Sequence, residues 1–126
     1  MMETRNGKPV INAKTRAEWR DWLQQYSQTE KSVWLIIQRK GSKTPGIGLV
    51  DATEEALCFG WIDSLANKRD AESFYLTFTP RNPKSNWSKV NRERVERLVA
   101  GGLMTEHGQK MIDIAKNSGK WEAAEK

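Results

Sequence analysis

One cysteine and one histidine stand among 126 residues, and these scarcities exclude much chemistry. A lone cysteine makes no internal disulfide and no cysteine-rich zinc or iron–sulfur site. A lone histidine removes every centre built on two imidazoles. Glu54 and Glu55 fall on different faces of their predicted helix, and no Asp/Glu/His set has ligand spacing, so neither a metal nor a cofactor is expected. The longest wholly apolar run is Val33–Ile37, five residues, against roughly 20 for a helix that spans a bilayer. Membrane insertion is therefore not expected. The opening Met-Met-Glu-Thr-Arg-Asn-Gly-Lys is followed by no apolar stretch of the kind a secretory signal needs. With the single thiol, this predicts a cytoplasmic protein.

What the chain does have is tryptophan and positive charge: six Trp and a formal net charge of +5. The length fits one domain over residues 1–126, with an ordered core from about 15 to 121. Thr15 and Glu18 form a capping box, and Trp19, Trp22, Leu23 and Tyr26 share one face of a helix over 15–26. Ser32–Gln38 reads as a buried strand and Arg39–Gly48 as a loop. Asp51 or Thr53 caps a helix running to about Phe59, which Gly60 ends. Phe74, Leu76 and Phe78 alternate with Tyr75, Thr77 and Thr79. They predict the second strand of an antiparallel hairpin that begins at Trp61. Ser88 caps a helix over 89–100, and Thr105 starts a last helix that stops at Gly119. The order α-β-α-β-β-α-α predicts an α+β fold: helices on a small antiparallel or mixed sheet, with a C-terminal helical pair.

The charge is concentrated. Residues 79–97 hold Arg81, Lys84, Lys89, Arg92, Arg94 and Arg97 against Glu93 and Glu96, which is +4 of the total +5. Ser85, Trp87, Ser88 and Asn91 lie among these cations in a stretch with two prolines. The combination suits an anion. Arg81 offers a planar fork, Lys84 a point charge, and the hydroxyls and helix start at Ser88 supply donors. Trp87 either covers such a ligand or tucks the loop onto the core. Part of the basic run also reads as an ordinary solvated helix face, since Glu93 and Arg97 stand at i, i+4.

Asp63 follows the apolar stretch Leu57–Ile62. It is either a structural carboxylate, paired with Arg81 or Lys68, or a general base. Cys58 sits in an apolar helix, which predicts a buried thiol with a raised pKa rather than a nucleophile. His107 completes no triad within the sequence. Gly46-x-Gly48 lacks the Gly-Lys-Ser/Thr that a phosphate loop requires. Trp19, Trp22, Trp34 and Trp61 lie on predicted apolar faces, and Trp121 is placed to anchor the tail.

Three stretches together resemble a known family: EEALCFGWIDS at 54–64, FTPRNPKSNWSKVNRERVERL at 78–98 and GLMTEHGQKMIDIAKNSGKWE at 102–122. Supported by RAEWRDWLQQ and SVWLIIQRKGS, they are similar to the YdeI/OmpD-associated family of small bacterial proteins, also called bacteriocin-protection proteins. The resemblance implies a stress role in protection against antimicrobial peptides and an association with an outer-membrane porin. It carries over no reaction. It marks Asp63, Arg81, Lys84, Ser85, Trp87, Ser88 and Asn91 as the characteristic polar positions. Three readings follow. A small anionic ligand binds between the Asp63 hairpin and the 79–91 loop; or nucleic acid binds the basic 79–97 segment; or an enzyme uses Asp63 as its acid/base.

Overall fold

A computed structural model of the chain describes residues 3–123. Its first feature is a hairpin: β1 (Thr4–Arg5) and β2 (Lys8–Ile11) pair antiparallel around Asn6-Gly7. Both turn residues have positive φ, 53° and 76°. That is the requirement of a two-residue turn matched to strand twist, and Asn-Gly satisfies it at least steric cost. Ordered structure therefore begins well ahead of residue 15. The remaining elements follow the expected order: α1 (Arg16–Tyr26), β3 (Val33–Gln38), α2 (Leu49–Cys58), β4 (Trp61–Lys68), β5 (Ser73–Pro80), α3 (Lys89–Ala100), α4 (Glu106–Ser118) and a short α5 (Lys120–Ala123). Of the tail expected beyond residue 121, residues 124–126 lie outside the described residues.

The five strands form one mixed sheet in the order β1-β2-β3-β5-β4. Only β2 and β3 run parallel. The fold is α+β, with helices packed on this sheet and a C-terminal helical group. No helix among the described residues is long and apolar enough to cross a membrane.

The two sheet faces divide by the strand period of two. Val33, Leu35 and Ile37 of β3 and Leu76 and Phe78 of β5 face the helices and enter the main core with Trp19, Leu57 and Trp61. Trp34 and Ile36 point the other way and pack with Val10 and Tyr75. There the Trp34 indole N–H donates to the Arg5 carbonyl at 3.0 Å, and the Arg5 guanidinium lies 4.4 Å from the Tyr75 ring centre. The opening hairpin thus extends the sheet beyond β3, and its Arg5 lies over the Trp34–Tyr75 face.

The helix starts follow their caps. Thr15 Oγ1 accepts from the Glu18 N–H at 3.2 Å, and Glu18 Oε1 accepts from the Lys14 N–H at 3.0 Å. Ser88 and Thr105 cap α3 and α4 as expected. The second helix differs from expectation. It begins at Leu49, ahead of Asp51 and Thr53, with Gly48 as its N-cap and no side-chain capping bond. Asp51 instead sits in the first turn, where its negative charge meets the helix dipole and Arg16.

Helix α2 is central, and Ala52 through Cys58 are all buried. Glu54 and Glu55 are buried with it and are met by arginines. Glu55 receives Arg16 Nε and, at 2.8 Å, Arg20 Nη1. Glu54 pairs with Arg16 at 3.2 Å and with Arg97 at 3.4 Å. The network ties α1, α2 and α3 together. Four of the buried tryptophans are those expected: Trp19, Trp22, Trp34 and Trp61. Two of their indole N–H groups reach carbonyls across the core, Trp19 to Ala52 at 3.0 Å and Trp61 to Ser27 at 3.1 Å, so the polar edge of each ring is not wasted.

Candidate functional site

The chain leaves β5 at Pro80 and turns through a polar loop before α3. At its start the Arg81 N–H donates to the Gly60 carbonyl at 2.8 Å, which sets Arg81 beside the β4 entrance. Its guanidinium lies 3.9 Å from the centre of the Trp87 ring. Nη2 donates to Ser85 Oγ at 3.1 Å and to the Asn86 carbonyl at 3.0 Å. Trp87 in turn packs on Trp121 at 5.2 Å between ring centres. The loop therefore closes around Arg81 as a small shell, with Trp87 as the floor.

Arg81 is only 7% exposed. No carboxylate lies within ion-pair distance of it, and Nε and Nη1 engage no acceptor among the described residues. Burial pulls its pKa down to about 10, and the more distant charge of Asp63 offsets part of this. At neutral pH the group stays cationic. A buried cation without a counter-ion is costly, and an anion brought to it recovers part of that cost.

Arg81 lines a cleft of about 560 Å³. One wall is the turn after α1, from Ser27 to Lys31. The floor is Phe59, Gly60 and Trp61, with Pro80 and Pro83 at the edge. The opposite wall is α4, through His107, Lys110, Met111 and Ile114. Helix α4 comes this close because two glycines allow it, Gly60 and Gly108, the second of which would place a Cβ 2.4 Å from the Cys58 carbonyl oxygen. A Cβ on Gly60 would stand 2.9 Å from Met111 Cγ and 3.1 Å from the His107 carbonyl, and Gly60 also has a φ of +77°. The Thr105 N–H donates to the Cys58 carbonyl at 3.1 Å and pins the helix start.

The characteristic positions separate in space. Arg81, Ser85 and Trp87 come together, with Ser85 and Trp87 holding the guanidinium from behind and only Arg81 facing the cleft. Trp87 is 2% exposed and belongs to the core, so its ring is covered by Arg81 and Trp121 rather than open to a ligand. Lys84 is exposed and outside the cleft lining. Ser88 Oγ is spent on the Asn91 N–H at 3.2 Å, and Asn91 Oδ1 accepts from Arg94 at 3.0 Å. Asp63 is exposed and pairs with neither Arg81 nor Lys68. The residues that sequence reasoning did not assign to the site are Lys31, Lys110, Met111 and Ile114, together with Glu30. His107 enters the cleft as a wall residue. None carried a motif; only the packing of α4 on Gly60 brings them to Arg81.

Cys58 is a buried free thiol whose pKa rises to about 11, chiefly because burial disfavours the thiolate. It is not a nucleophile at neutral pH. No cluster of three metal-ligating side chains occurs among the described residues. A larger cavity of about 630 Å³ lies between Phe74 and the start of α2. Its Arg39 stacks on Phe74 at 4.9 Å and is exposed to water, so no buried charge there calls for a partner.

Residues 11–111 match the family model described as a domain of unknown function, DUF8412. Neither the curated proteins nor the solved structures give a match to the chain.

Proposed function

The chain belongs to the family described as a domain of unknown function, DUF8412, and we propose that it is a binding module for a small organic anion held at Arg81. One observation carries this reading: a guanidinium that is 7% exposed, lines a cleft of about 560 Å³ and stands in no ion pair among the described residues. The volume lies within the range of ligand pockets, about 300–1,000 Å³. The unused Nε and Nη1 lie on opposite sides of the guanidinium, and each offers a charge-assisted hydrogen bond to a carboxylate or phosphate oxygen. His107, Lys110 and Lys31 add polar and cationic groups around the cleft, while Phe59, Trp61 and Met111 supply an apolar body.

A small ligand suits these features better than nucleic acid. The one tryptophan of the basic segment is in the core, and Arg94 and Arg97 of α3 are engaged with Asn91 and Glu54. The reading assigns no reaction, because Asp63 stands outside the cleft lining. It sets the protein in the cytoplasm. The likeness to YdeI/OmpD-associated proteins extends it to a stress role in which sequestering or sensing an anion contributes to antimicrobial-peptide protection, with a porin as a further partner.

Calorimetric titration with hexanoate tests the reading. Arg81→Met is expected to weaken binding about thirtyfold, the worth of a charge-assisted pair. Unchanged affinity in that variant, with its fold intact by circular dichroism, would overturn the proposal.

A further inference from the structure

We infer that the Arg81 cleft selects a zwitterion, a small molecule with a carboxylate for Arg81 and an ammonium group for Glu30 joined by an apolar spacer. This rests on the anion-binding reading and names its substrate class. Glu30 closes the turn after α1, where its N–H donates to the Tyr26 carbonyl at 2.8 Å. It is half-buried and lines the same cleft as Arg81. Its carboxylate forms no ion pair and accepts no hydrogen bond among the described residues, although Lys31 and Lys110 line the same cleft.

Two opposite charges thus line one cavity, and neither stands in an ion pair among the described residues. The same lining holds the apolar Phe59, Trp61, Met111 and Ile114. A ligand with one charge satisfies one of these groups and leaves the other without a partner. A molecule with both charges satisfies both groups, so the cleft discriminates by attraction and by penalty together. Amino acids and ω-amino acids are the simplest members of this class.

The experiment is calorimetric titration of the full chain with two matched series, the ω-amino acids from glycine to 6-aminohexanoate and the alkanoates of equal length. At the best spacer length the amino acid is expected to bind about tenfold more tightly than its alkanoate. Glu30→Gln is expected to abolish that ratio. If alkanoates bind through Arg81 and no amino acid exceeds its partner, the zwitterion inference is overturned and the anion reading stands. An amino-acid advantage that persists in Glu30→Gln overturns it as well. If neither series binds, the anion reading itself fails.

Discussion

Gly108→Ala is expected to destabilise the protein by about 3 kcal/mol, the upper end of ordinary overpacking costs. Helix propensity alone predicts the opposite sign, since alanine is about 1 kcal/mol better than glycine in a helix interior. The structure decides between them. A Cβ on Gly108 would lie 2.4 Å from the Cys58 carbonyl oxygen and 2.7 Å from its carbon, with Met104 Sδ also at 2.4 Å. The thioether can swing aside, but the carbonyl is backbone at the end of α2 and already accepts from the Thr105 N–H. Relief requires α4 to move off α2, which pulls His107 and Met111 away from the cleft. Urea denaturation measures the effect. A variant as stable as the parent, or more stable, would show that α4 is not seated as described.

Glu55→Ala is expected to cost about 3 kcal/mol, the lower end of what breaking a buried ion pair costs. The Glu55 side chain is 3% exposed and receives both Arg16 and Arg20. Its loss leaves two guanidinium groups facing a small apolar gap. The figure stays at the low end because both arginines keep a path to water and other acceptors: Arg16 retains Asp51 and Glu54, and Arg20 retains the Leu103 carbonyl at 2.9 Å. The loss is expected to persist in 0.5 M salt, since buried pairs are weakly screened. Denaturation curves at low and high salt provide the check. A loss under 1 kcal/mol, or one that vanishes with salt, would mark the network as a surface feature.

The sequence made the helices legible where local chemistry decides them. Thr15, Ser88 and Thr105 are helix caps, and the alternation from Phe74 to Thr79 is the two-faced strand it appears to be. The opening hairpin was equally legible, because Asn6-Gly7 is a strong turn signal. It is overlooked when the first residues are read only for a targeting signal. The surroundings of Glu54 and Glu55 were not legible: from Ala52 to Cys58 helix α2 is buried, and its acids meet arginines brought from other helices. Trp87 was read either as covering a ligand beside Arg81 or as tucking the loop onto the core; it does the second, and its ring supports the cation from beneath. The cleft itself has no local signature. Residues 27–31, 59–61, 80–83 and 107–114 meet only because Gly60 and Gly108 let α4 approach.

The central claim is that Arg81 meets an anion through the donors it leaves unused. Arginine side-chain Nε–H signals in a ¹⁵N correlation spectrum report on it directly, with Arg81→Met identifying the resonance. On titration with hexanoate, the Arg81 signal is predicted to shift and saturate together with the amides of Gly60 and His107. Shifts confined to Arg92, Arg94 and Arg97 of α3, or no arginine shift at all, would contradict the account.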